Sequence, residues 1–208
     1  MQKTKKNVII GYLVMAISIG LLLLNYLSTK KDKVFNDINL EYYSLTNPVL
    51  EVKKEDIKEE EVIPEKEQEE LNYSNYFIGS LEIPKIGLNR GFVDINSLDN
   101  DVSKNISIIK SSDMPDVELG NFILAAHSGN SYISFFKDLY LINNGDSIYI
   151  NYKGKKYTYQ ITNIYLQEKT GKIGIYRDQS KTTVTLVTCT KDDEQHQTIY
   201  IADLVSIN

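Results

Sequence analysis

Tryptophan is absent from this 208-residue chain, cysteine occurs once and histidine twice. A single cysteine cannot close an internal disulfide, so a disulfide-stapled scaffold is excluded and the thiol is silent about compartment. One cysteine and two histidines also cannot build a structural zinc site of the usual Cys/His spacing. Arginine is scarce, with only Arg90 and Arg177 in the whole chain. Net charge is −5, and no basic face recommends nucleic acid as a partner. No internal repeat is evident. What remains is 42% hydrophobic and 25% charged, a balance suited to a globular domain with a core.

The charge is unevenly placed. Residues 51–70, "EVKKEDIKEEEVIPEKEQEE", carry ten acids and four lysines, so this segment alone is net −6. Pro64 and the excess of like charge argue against a packed element, and residues 28–72 read as a charged spacer. Ahead of it, residues 8–27, "VIIGYLVMAISIGLLLLNYL", contain no charged side chain. Twenty helical residues reach roughly 30 Å, the thickness of a bilayer core. A cleaved leader would have a shorter apolar core and a small-x-small cleavage site, and neither is present. An uncleaved transmembrane anchor over 8–27 is therefore expected. Lys3, Lys5 and Lys6 precede it and Lys30, Lys31 and Lys33 follow it, so charge orients it only weakly. The expected arrangement is a cytoplasmic tail over 1–7, with the remainder on the extracellular face.

From residue 73 the texture changes. Short β-prone runs alternate with turn signals: "SLEIPKI", "ISIIK" at 106–110, "NFILAAH" at 121–127, "TTVTLVTC" at 182–189 and "QTIYIADLVSI" at 197–207. "DSIYINYKGKKYTYQITNIYL" reads as a hairpin turning near Lys153 and Gly154. "SYISFFKDLYLI" at 131–142 has the apolar spacing of a short helix, and a second is expected near 97–103. Residues 73–208 are thus expected to form a mainly β sandwich or closed barrel of seven or eight strands with a few short helices.

Cys189 ends an apolar strand. It reads either as a buried, inert small hydrophobe or as a thiolate nucleophile, which needs a partner to maintain it. His127 ends another β run and is followed by the turn-like "SGNS"; a strand end is where a side chain meets ligands. His196, nearer in sequence, reads as an exposed loop histidine. A Cys–His pair has a coherent chemistry: the thiolate attacks a carbonyl and the imidazolium protonates the departing amine. A third group should stabilise the oxyanion, and arginine suits that role.

Four pieces carry a resemblance. "GSLEIPKIGL", "GNFILAAHSGN", "TLVTC" and "QTIYIADLV", in this order and behind an apolar N-terminal segment, resemble the sortases, membrane-anchored transpeptidases of Gram-positive bacteria. The resemblance covers about residues 76–207. It implies a sortase-like closed barrel of about eight strands, with Cys189 as nucleophile and His127 as proton donor and acceptor. The family's essential arginine opens the last strand, where this chain has Gln197. Glutamine can donate a neutral hydrogen bond to the oxyanion or the substrate backbone but supplies no charge, and charge-assisted bonds are about twice as strong. Thr188 matches the family's threonine before the nucleophile. Arg177 lies in a loop that the resemblance turns toward the substrate groove.

The implied function is cleavage of an LPxTG-like sorting signal in secreted proteins through a thioester on Cys189. Transfer to a peptidoglycan precursor or another amine follows. No cofactor or metal is implied. Calcium dependence is not expected, because the loop at 167–181 offers only Glu168 and Asp178 as carboxylates. Two other classes stay open: a sortase-like module that binds sorting signals with little or no turnover, and a plain surface-anchored β domain.

Overall fold

The computed structural model describes residues 2–47 and 76–208; the acidic run 51–70, expected as a solvated stalk, lies outside the described residues. The chain forms two units, one up to Ile38 and one from Asn39 onward.

Helix α1 runs Gln2–Thr46 and is long and apolar enough to cross a membrane. Leu21, Leu22, Leu23 and Leu24 each expose more than half of their surface. The helix does not stop at Leu27, where the expected spacer begins. No glycine or proline interrupts residues 28–47, and Pro48 is the first residue that forbids a helical predecessor. Its end belongs to the second unit. Tyr43 is buried against Phe77 and Val93, and its hydroxyl donates to Asn151 O at 3.1 Å. Part of the expected spacer is therefore packed on the barrel, anchored by one aromatic side chain.

The second unit is a mainly β, nearly closed eight-stranded barrel. Its strands are β1 (Gly79–Ile83), β2 (Leu88–Phe92), β3 (Ser107–Ile108), β4 (Asn121–Ala125), β5 (Ser147–Tyr152), β6 (Lys155–Glu168), β7 (Thr183–Cys189) and β8 (His196–Ile207). The order across the sheet is β2-β1-β5-β6-β8-β7-β4-β3. A bridge between Phe92 and Ile106 joins the two edges. The expected hairpin is present: Lys153 (φ 50°) and Gly154 (φ 70°) both adopt positive φ, as a two-residue turn that follows strand twist requires.

Side chains alternate along each strand, so one set fills the interior. Leu81, Ile83, Phe92, Phe122, Leu124, Ile148, Ile150 and Leu186 are all nearly inaccessible there. β4 and β7 pair in parallel, and both are covered on two faces. Parallel strands buried this way read as continuous apolar runs, which accounts for "NFILA" and "TVTLV". On the outer face Ile123, Ala125, Val187, Ile199 and Ile201 form a second, smaller cluster, with Val102, Tyr165 and Ile175 packed against it.

Both expected short helices are corrected. Within 131–142 only Leu139–Leu141 forms a 3-10 turn, and 97–103 is a chain of tight turns. Local polar bonds replace the helix in each: Ser131 and Ser134 pair their hydroxyls at 3.0 Å, and Asp101 accepts from Ser103 N–H at 2.8 Å. Ser and Asp that bond nearby backbone or side-chain groups in this way favour turns over helix.

Candidate active site

Cys189 is the last residue of β7 and is exposed, which excludes the buried, inert reading. Its level on the barrel is fixed by both neighbouring strands. Across the antiparallel β7–β8 ladder its partner is Gln197. Thr190 N–H donates to His196 O at 3.1 Å, so the adjacent Cys189–Gln197 pair is of the non-hydrogen-bonded kind, whose side chains approach closely on one face.

On the other side lies β4. Ala125 is the register partner of Val187, and two residues further His127 comes level with Cys189. Three bonds hold this alignment past the end of the strand. Ala126 N–H donates to Val187 O at 3.3 Å, Thr188 Oγ1 donates to Ala126 O at 2.8 Å, and Ser128 Oγ donates to Cys189 O at 2.6 Å. His127 is half-buried, and its carbonyl accepts from Phe136 N–H at 2.9 Å. Asp101 lies within electrostatic reach. Its carboxyl sits below the usual range, chiefly because Ser103 donates its N–H and hydroxyl, with Lys104 and then His127 contributing less.

Further along the same ladder, Thr183 and Thr185 donate their hydroxyls to Asn121 Oδ1 at 2.9 and 2.8 Å. These buried bonds lock β7 to β4 below the site. They explain why the motif strand combines threonine with aliphatic residues: β-branched chains fit the pleat, and the hydroxyls satisfy Asn121.

Gln197 shares its level with a fourth position, since its register partner on β6 is Gln167. Gln197 Nε2 donates to Gln167 Oε1 at 3.3 Å. Cys189, Gln197 and Gln167 thus form one row across β7, β8 and β6, and His127, two residues beyond the end of β4, extends it. The buried apolar outer cluster lies below this row, and Ile175 of the β6–β7 loop packs against it. On the opposite side of the thiol a cavity of about 240 Å³ opens, lined among others by Ser128, Phe136, Tyr140, Thr188 and Lys191. Lys191 Nζ lies 3.7 Å from the centre of the Tyr140 ring, and a hydrogen bond with Tyr140 is the main cause raising its pKa.

Two expected residues are placed differently. The Arg177 guanidinium donates to Leu119 O at 3.0 Å and to Lys181 O at 2.9 Å. Those carbonyls precede β4 and β7, eight residues before His127 and Cys189 respectively, roughly 26 Å along the strands at about 3.3 Å per residue. Arg177 instead braces Leu119, whose φ of 56° is unusual for a leucine. His196 is not a free loop residue: it is half-buried and its Nδ1 lies 2.7 Å from Asp193 Oδ2. Asp193 also accepts from Gln195 N–H at 2.9 Å and His196 N–H at 3.1 Å, and these bonds hold its carboxyl below the usual range.

Sequence reasoning missed Ser128 and Gln167. Ser128 carried a weak signal, directly after the histidine in "AAHSGN". Gln167 carried none, because only the β6–β8 register reveals its place. Among the described residues no group of three or more His, Cys, Asp or Glu converges to hold a metal ion.

The Sortase domain model matches residues 81–205. Sortase A of Bacillus anthracis is 25% identical over 129 residues, covering 62% of this chain and 60% of that protein. The chain therefore spans about 60% of the length of that curated relative. A Clostridium perfringens sortase D5 transpeptidase superposes with a TM-score of 0.54 at 25% identity, over 64% of this chain and 81% of that one. Sortase C1 of Streptococcus agalactiae superposes with a TM-score of 0.57 at 24% identity, over 64% and 69%.

Proposed function

Because the chain belongs to the sortase domain family, we propose that it is a membrane-anchored cysteine transpeptidase acting on secreted proteins that bear an LPxTG-like sorting signal. Cys189 is its nucleophile and His127 its proton donor and acceptor. The observation that carries this reading is the shared level of the two residues, held by the Thr188–Ala126 and Ser128–Cys189 bonds.

The chemistry balances as two acyl transfers. Cys189 Sγ, as thiolate, attacks the carbonyl carbon of the threonine, and the imidazolium of His127 gives its proton to the departing amine. The peptide bond breaks, a thioester forms and His127 is left neutral. An acceptor amine then attacks the thioester from the cavity side, His127 takes its proton, and the thiolate departs. Gln197 stands where the family's arginine is expected. One amide N–H of Gln197 remains beyond its bond to Gln167, which suits donation to the oxyanion or the substrate backbone. The neutral donor makes the step slower than an arginine would. Thr188 acts through Ala126 by keeping His127 level with the thiol.

Residues 8–27 anchor the protein, with 1–7 cytoplasmic and the barrel outside, where sorting signals and peptidoglycan amines meet. Neither a metal nor a cofactor has a part in these steps.

The test is incubation of the full chain, in detergent, with a sorting-peptide library and candidate amines. Mass spectrometry is expected to find a thioester on Cys189 that amines discharge. Binding without any thioester would favour the alternative, a module that holds sorting signals without turnover; the neutral Gln197 is the observation that keeps it open.

A further inference from the structure

We propose that Gln167 is a positioning residue: one side-chain oxygen, Gln167 Oε1, sets both the amide of Gln197 beside the thiol and the β6–β7 loop over the outer apolar cluster. The proposal rests on the acyl-transfer reading of Cys189. It starts from hydrogen-bond direction. Gly174 N–H can only donate, and it meets Gln167 at 3.0 Å, so Gln167 must turn Oε1 toward it. That oxygen can only accept. Gln197, 3.3 Å away, must therefore turn Nε2 toward Gln167, which fixes an amide that the sheet register places opposite Cys189. Two amides that are otherwise free to flip are ordered by one backbone donor.

The same segment of β6 grips the loop a second time. Tyr165, two residues earlier and on the same face, donates its hydroxyl to Gly174 O at 2.8 Å and accepts from Tyr176 N–H at 2.9 Å. Its ring packs against Tyr176 with 5.3 Å between centroids. Beyond Gln167, Lys169 reaches the other loop: its N–H donates to Gln195 O and its Nζ to Glu194 O, both at 2.9 Å. The end of β6 thus gathers the β6–β7 loop, the β7–β8 loop and Gln197. Gln167 is the one member that touches both the loop and the row containing the thiol. A donor peptide bound beside Cys189 would border both elements that Gln167 holds, so binding and reactivity should move together when it is cut.

The experiment compares wild type with Gln167→Ala and Gln167→Glu in the full chain. Two measurements are made: thioester formation with an LPxTG peptide, and amide hydrogen exchange over 170–176. Glutamate keeps an acceptor oxygen for both donors; alanine keeps none. Gln167→Ala is expected to lower kcat/KM for acylation about tenfold, the loss of a hydrogen bond or two, with KM raised and kcat lowered. It should also speed exchange at Gly174. Gln167→Glu is expected to stay within about threefold of wild type in rate and to keep the protection. Alkylation of Cys189 by iodoacetamide should be the same in all three, because the thiol is exposed in each. The proposal is overturned if Gln167→Ala retains wild-type rate and exchange, or if Gln167→Glu is as slow as Gln167→Ala at equal thermal stability. Should wild type form no thioester at all, the transpeptidase reading fails instead, and the exchange data alone decide whether Gln167 holds the loop.

Discussion

Gln197 faces Cys189 directly across the β7–β8 ladder, in a pair whose side chains share one face. A side chain there borders whatever is bound to the sulfur. On the proposed acyl-transfer reading this position serves as a donor, and glutamine supplies a neutral one. Gln197→Ala is expected to lower the rate of thioester formation by on the order of tenfold, since a single neutral hydrogen bond is lost. Gln197→Arg is expected to retain or raise it, because an arginine brings charge to the same place. Single-turnover acylation with an LPxTG peptide measures both. Full activity of Gln197→Ala would remove Gln197 from the machinery.

Cys189→Ala and His127→Ala are each expected to abolish thioester formation. They are also expected to leave the barrel folded, because Cys189 is exposed and His127 only half-buried. Intact-protein mass spectrometry after incubation with peptide reads the first effect, and circular dichroism melting reads the second. A thioester on the Cys189→Ala variant is chemically impossible, so any residual turnover there would locate the chemistry elsewhere.

The strands were legible where local sequence carries geometry. Alternation and β-branching marked β7, which Cys189 closes, and β4, which ends two residues before His127. The Lys153–Gly154 turn was legible for the same reason, since only a few residues tolerate positive φ in succession. What was not legible depended on register between distant segments. Gln167 and Gln197 are thirty positions apart and meet only because β6 and β8 pair with two irregularities along their length. Arg177 looked available for substrate because nothing in "GIYRDQS" discloses that Leu119, far earlier in the chain, would claim its guanidinium. The helix expected over 131–142 failed for a different reason. Its apolar spacing is real, but successive tight turns satisfied the backbone first, with Ser134 N–H donating to Ser131 O and Lys137 N–H to Ser134 O, and Phe136 and Leu139 reach the core without a helix.

Thr188 is buried, and its hydroxyl ties β7 to the residue before His127. Thr188→Val keeps the shape and removes the bond. It is expected to cost about 1 kcal/mol in denaturant unfolding and to reduce acylation by more than that loss of stability explains, because His127 loses its brace. Thr188→Ser retains the hydroxyl and is expected to restore most of the rate. Equal rates in the two variants would deny the brace.

The β7–β8 turn carries its own pH dependence through Asp193. Its carboxyl is held below the usual range by Gln195 N–H first and by the His196 ring and N–H after that. A depressed pKa in the folded state stabilises the turn fully above the unfolded value, about 3.9, and that contribution is lost as pH falls through the lower folded value. Exchange at Gln195 and His196, corrected for intrinsic rates, is therefore expected to accelerate below about pH 4. Asp193→Asn keeps an acceptor without a titrating charge, and its profile is expected to be flat across that window. An identical acid limb in Asp193→Asn would assign the effect to another group.

Gly174 offers a test of the β6–β7 loop contact that leaves Gln167 chemically intact. A Cβ added there would lie 2.7 Å from Gln167 Nε2 and 3.3 Å from the Tyr176 hydroxyl. Both atoms end movable side chains, so the backbone need not shift and the barrel should fold normally. What must give is the Gln167 amide. As it swings away, its oxygen leaves Gly174 N–H and Gln197 Nε2 together, while the Tyr165 hydroxyl still holds the loop at Gly174 O. Gly174→Ala is accordingly expected to slow acylation by several-fold, less than Gln167→Ala, with the melting temperature changed little. Acylation kinetics on the two variants and on the double variant measure this. Because both substitutions break the same bonds, the double variant is expected to be no slower than Gln167→Ala alone. Strict additivity would mean that Gly174 acts through some contact other than Gln167.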